Sequence, residues 1–196
     1  RHVSALMGPT QVVRLGMALE VTGIVLIGLT LSVTRSPWWL VIPLIIYGLG
    51  LGFASAQLTN VVLADVPALK SGQASAMTST FRQVGSALGA AILGAVLFSG
   101  LGTILGDDLA QEAGLTDAQR TQLTDQVQSS AGQAIIGLEQ IPGLEPVVDD
   151  AKQAYTDAAR ATAWVAAAFV LFGLLVSFGL PKDDPAREST HETPPA

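Results

Sequence analysis

Cysteine is absent from the 196-residue chain, which excludes disulfides, thiolate nucleophiles and cysteine-held metals. Histidine is nearly as scarce. His2 and His191 stand alone near the two ends with no ligand partner at metal-binding spacing, so no metal site is expected. Charge is the most consequential shortage: only 13% of residues are charged, and the stretches 21–34, 38–64, 83–106 and 161–181 carry no charged side chain. The first reaches spanning length only if it extends back to Leu15 and accepts Glu20. A bilayer-crossing helix needs about 20 apolar residues, and each stretch then meets that need. The 49% hydrophobic content and mean hydropathy of +0.48 exceed what a soluble domain of this size carries. No Ser/His/Asp set, paired acid at a cleft or phosphate loop stands in a plausible context, so neither an enzyme nor a cofactor is expected.

The net charge of −6 is unevenly placed. Residues 106–160 hold ten acids and three bases, and the rest of the chain is near neutral. An acidic segment between two spans reads as a solvent-exposed domain, and it offers nothing to nucleic acid. Thr116-Asp-Ala-Gln119 has the form of a capping box, with Leu123, Val127 and Ala131 following at helical spacing. Pro142-Gly143 breaks that pattern. Pro146 suits a first helical turn, and Val147, Val148, Ala151, Ala154 and Tyr155 then form an apolar stripe that continues into the last span. The reading is an external acidic helical hairpin over 106–160 whose second arm extends the final transmembrane helix.

The expected order is a cytoplasmic loop (1–14), transmembrane helices at 15–34 and 38–64, a cytoplasmic loop (65–72) and a helix at 73–105 with a polar cytoplasmic start. The hairpin follows, then a last transmembrane helix at 161–181 and a disordered cytoplasmic tail (182–196). Lys and Arg in the short flanks (Arg1, Arg14, Lys70, Arg82, Lys182 and Arg187) face Arg35 and the acidic segment, which puts both termini of a multi-pass cell-membrane protein in the cytoplasm. Trp38 and Trp39 are placed as interfacial anchors, and Arg14 to snorkel from the first span. Gly48, Gly52 and Ala56 on the second span recur at four-residue spacing. So do Gly85 and Gly89, and Ser86, Ala90 and Gly94, on the third. Such faces let backbones approach closely in lipid and call for further helices around them. The chain starts at Arg1 without an initiator Met, which reads as a piece of something longer.

The run from Gly48 through Asn60 to Val66-Pro67, followed by Gly72-Gln-Ala-Ser75 and Phe81-Arg82-Gln83-Val-Gly85-Ser-Ala-Leu-Gly89, resembles the C-terminal part of the major facilitator superfamily. More narrowly it is similar to the fourteen-helix drug:proton antiporters. The Gly8-Pro9 to Gly16 segment looks like the end of the cytoplasmic loop motif of such transporters, although Ala5 and Leu6 stand where that motif carries an Asp-Arg pair. The resemblance implies an all-α, polytopic fold: four transmembrane helices of a major facilitator bundle, numbers eleven to fourteen, plus the external hairpin. It also implies proton-coupled export of lipophilic or cationic compounds by alternating access. The partners would then be membrane lipid, a small lipophilic substrate, protons and the missing N-terminal helices.

Within that frame Gln57 and Asn60 are candidate substrate contacts, being uncharged hydrogen-bonding groups on one face of the second span. Arg82 with Asp65 is a candidate gating ion pair, and Glu20, the one carboxylate within a span, a weaker candidate for proton coupling. The reading from a different class is a free-standing four-helix membrane scaffold or assembly protein whose external hairpin binds a partner.

Overall fold

In the computed structural model, the structure describes residues 8–63, 66–111 and 115–179, and all regular structure among them is helical. Six α-helices follow in order: α1 (Pro9–Thr30), α2 (Val41–Leu63), α3 (Ser71–Gln111), α4 (Asp117–Ser129), α5 (Ala134–Leu138) and α6 (Glu145–Ser177), with single 3-10 turns at Pro37–Leu40 and Ala68–Lys70. The stretches Pro9–Thr30, Pro37–Leu63, Ser71–Gln111 and Glu145–Ser177 are each long and apolar enough to cross a membrane. The described chain is thus all-α, with four candidate spans.

Local chemistry sets the helix ends. Pro9 opens α1, where its missing N–H leaves nothing unsatisfied, so the helix starts six residues ahead of the expected boundary. Inside α1 the hydroxyls of Thr22 and Thr30 donate back to the carbonyls of Ala18 and Leu26, which makes them tolerable in an apolar helix. The capping box forms as expected: Gln119 N–H donates to Thr116 Oγ1 while the Gln119 side chain accepts from Thr116 N–H. Pro146 sits in the first turn of α6, and α6 runs unbroken from the acidic segment through the last candidate span. One further detail differs from expectation. Ala131 does not continue α4; it adopts φ 53° ahead of Gly132 at φ 83°, and these two left-handed residues turn the chain into the short α5.

The spans pack in a row in which α2 lies on α1, α1 on α6, and α6 on α3. Glycine on α1 and α2 makes the first contact. A Cβ on Gly50 would fall 2.5 Å from Glu20 N and 2.6 Å from Gly16 O; one on Gly23 would fall 2.6 Å from Tyr47 N. The best-packed core lies around residues 101–158, where Leu101, Leu105 and Leu109 of α3 close on Val127 and on Ala151, Ala154 and Ala158 of α6, all nearly solvent-free. Leu105→Ala leaves a methyl-lined void there and is expected to destabilise this module by about 2–5 kcal/mol. Hydrogen exchange of α4 amides is the measurement, since the spans should stay protected.

Candidate functional site

Two arginines fix the register of the spans. Arg14 donates from Nε and Nη2 to the Ser177 carbonyl at 3.2 and 2.9 Å, and its guanidinium lies 5.1 Å from the centre of the Phe178 ring. At the other end Arg160 donates to the Leu31 carbonyl at 2.7 Å and pairs with Asp157 at 2.6 Å. Each arginine thus satisfies a carbonyl that a helix end leaves without an intrahelical partner. The two clamps are reciprocal. Arg14 and Leu31 are separated by as many residues as Arg160 and Ser177, which at 1.5 Å per residue is about 26 Å. That is close to the ~30 Å thickness of a bilayer's hydrocarbon core, so a membrane around these helices would have its edges near the two clamps.

That ruler places the candidate residues. Gly16 lies against Gly50 and Ala54, and Gly23 against Tyr47, so antiparallel counting sets Trp38 and Trp39 level with Leu31 and sets Gln57 close to the level of Arg14. Gly100 packs on Ala158, so Phe98 is level with Arg160; Arg82, about 24 Å further along α3, returns to the level of Arg14. Gln57 and Arg82 therefore share one membrane edge, opposite the tryptophans. They are not at the midplane. Tyr47 is, half-buried on α2 beside Gly23, and its phenol is a polar group that the sequence reading passed over in favour of Gln57. Its hydropathy neighbourhood carries no signal; only the Gly23 contact reveals its depth.

The surroundings differ sharply. Gln57 is half-buried, whereas Arg82 is exposed and has no hydrogen-bond or ion-pair partner among the described residues. Asp65, its expected partner, and the side chain of Asn60 lie outside the described residues, as do the 182–196 tail and the Ala5-Leu6 stretch of the first loop. Glu20 is half-buried about 9 Å inward from Arg14, with its backbone against Gly50. Among the glycines, the contact inside this chain falls on a different face from the one their spacing marks. At Gly48, Gly52, Gly85 and Gly89 a Cβ would meet nothing within 4 Å, and at Gly94 only the Phe98 ring of the same helix. The helix contact inside this chain is made by Gly50, roughly 200° around α2 from Gly48. From Ser71 to Ala90, α3 is exposed on nearly every side.

The module of α4, α5 and the adjoining ends of α3 and α6 carries the perturbed acids. Burial first, then the neighbouring carboxylates of Asp150, Asp107 and Asp157, hold Asp108 above the usual range. Backbone N–H groups at the start of α6, its own and that of Gly143, hold Glu145 below it. Asp108 is thus easier to bury protonated, and its contribution to stability fades as pH rises; the contribution of Glu145 is lost as pH falls. No group of His, Asp and Glu with metal-site geometry occurs among the described residues.

This architecture is that of a multi-pass α-helical membrane protein. No family model matches the chain, and no solved structure matches it. Among curated proteins it is similar to the Riboflavin transporter RibZ of Clostridioides difficile (strain 630), 42% identical over 67 residues. The matched stretch is 34% of this chain and 15% of that protein's length.

Proposed function

We propose that this chain forms the last four helices of a secondary active transporter of the major facilitator type, one that exports lipophilic or cationic compounds in exchange for protons. The observation that carries the reading is the bare α3. A helix that crosses lipid with Gln83, Ser86, Gly85 and Gly89 uncovered lacks the close packing and polar contacts that helices in a membrane find in one another. The cover would come from the N-terminal helices of the longer protein. The partial likeness to a transporter supports the same class. In this scheme Arg82, with Asp65, guards the cytoplasmic edge, Gln57 and Asn60 meet substrate at the cytoplasmic mouth, and Tyr47 offers a phenol at midplane depth. Glu20 is a half-buried carboxylate that could titrate with transport.

The name of the relative favours a second substrate class, a planar polar solute such as riboflavin, for which a phenol and carboxamides are suitable partners. A free-standing scaffold with an external binding hairpin is the third reading. Cells making the full-length parent, or this chain alone, are compared for accumulation of a fluorescent lipophilic cation and of riboflavin. Proton-dependent cation export by the parent and none by the chain alone is the expected result, because alternating access needs two bundles around one site. Export by the chain alone would overturn the fragment reading. Riboflavin movement without cation export would select the second substrate, and neither would leave the scaffold.

A further inference from the structure

The external module hangs from α3 and α6, and its two ends stand at different heights above the membrane edge. Gln128, at the end of α4, reaches back over Gly102 and donates from Nε2 to the Phe98 carbonyl at 2.9 Å. Phe98 is level with Arg160, at the edge itself. The turn that follows α4 lies against Tyr155, whose ring would stand 2.7 Å from a Cβ on Gly132. Tyr155 is five residues, about 7.5 Å of helical rise, beyond Arg160. The headgroup layer on each side of the hydrocarbon is about 5–8 Å deep, so residues 129–133 lie within it. The other end is remote: Glu139 pairs with Lys152 at 2.5 Å, and Ile141 lines a shallow groove with Glu145 and Val148, about 18 Å or more beyond Arg160.

Charge follows the same division. Residues 106–160 carry ten acids, yet 126–138 contain no charged side chain. Ser129 and Gln133 on the turn are exposed, and Ile136 beside them is 66% exposed. A module that stood free in water would have no reason to keep its membrane-proximal turn clear of acids and to show an isoleucine there. A surface resting on lipid phosphates does, since carboxylates would be repelled and an apolar side chain finds a place at the headgroup boundary.

We propose that the turn formed by 129–133, with Ile136, sits on the lipid headgroups of its own side of the membrane, so that the module is a cap seated on the bilayer. The partner is the lipid surface. The proposal rests on the spanning reading of the four helices, and the test carries a control for it.

Because the 196-residue chain has no cysteine, single cysteines can be placed in it without other changes, and any cysteine of the longer parent is first replaced by serine. Ser129→Cys, Gln133→Cys, Ile136→Cys, Ile141→Cys and Trp39→Cys are each labelled with an environment-sensitive dye, in the full chain reconstituted in phosphatidylcholine vesicles and in its longer parent. Quenching by headgroup spin-labelled lipid is compared with quenching by aqueous iodide. Position 39 reports whether the spans are inserted at all. Dyes at 129 and 133 are expected to be quenched by lipid spin labels about threefold more than at 141, and by iodide less, as their depth in the layer requires. Quenching at 39 with 129 and 133 no different from 141 overturns the cap. So does shielding of 129 and 133 from both quenchers, which would place the turn against protein. Loss of lipid quenching at 39 removes the spanning reading and the cap together.

Discussion

In the longer transporter proposed above, Arg82→Ala is expected to slow transport about ten- to a hundredfold while leaving abundance in the membrane unchanged. The guanidinium lies at the membrane edge on a helix bare on nearly every side, and among the described residues no partner holds it. An arginine at such an edge needs a carboxylate or carbonyls from elsewhere. A charge-assisted hydrogen bond contributes about 1.5–3 kcal/mol, which corresponds to about a ten- to a hundredfold loss of rate if it is made in the step that limits turnover. Arg82→Lys separates the two roles left open. A point charge serves an interfacial anchor well and a planar two-pronged contact badly, so a gating role predicts that the lysine variant stays at least about tenfold slow. Full transport by Arg82→Lys would reduce the residue to an anchor. Membrane abundance, measured beside the efflux rate, tells a transport defect from a folding one.

The second large effect is expected from a pair of glycines two residues apart. Gly50→Leu forces a side chain into the backbone of α1, where Glu20 N and Gly16 O stand 2.5 and 2.6 Å from the first added carbon. Backbone atoms cannot swing aside as a flexible side chain can, so α1 and α2 must separate, with a cost at or above the roughly 1–3 kcal/mol of ordinary overpacking. Gly48→Leu adds the same bulk into open space and should be neutral in this chain alone. In the full-length parent the two should converge, because a face that receives further helices has no room for leucine at position 48. The readout is the thermal midpoint in detergent for all four combinations. A Gly48→Leu variant as harmless in the parent as in the isolated chain would show that no helix docks there.

This contrast also shows where sequence reasoning reached its limit. Three of the four spans follow from charge-free length, the first only once Glu20 is accepted, and the capping box at Thr116 and the run of α6 into the last span follow from local chemistry. The phase of α2 does not. A helix apolar all round has no stripe to point at its neighbour, so glycine spacing marks Gly48 and Gly52, whose face is open in this chain, and gives no sign that Gly50 meets α1. The same blindness hid the depth of Tyr47, which depends on antiparallel pairing with Gly23 far away in sequence, whereas the place of Arg82 in the polar start of its helix was legible from the charge pattern. Arg14 reads as a snorkelling end residue from sequence, and only its bonds to the Ser177 carbonyl show that it fastens α6. Ala131 fell at helical spacing with Leu123 and Val127, but the turn into α5 needed a left-handed residue there.

The length of α3 has a mechanical consequence. Its 41 residues contain no proline and run unbroken for about 60 Å. The ruler set by the arginines leaves some 16 Å of it on the Arg82 side of the bilayer and about 20 Å on the module's side. A rod of that kind, held near its middle by lipid, is a lever with arms of about 30 Å; a tilt of about 5° carries its two ends roughly 2.6 Å in opposite directions. Whatever shifts the turn around Lys70 on one side of the membrane thus displaces Leu105 and Leu109, and the helices packed on them, on the other.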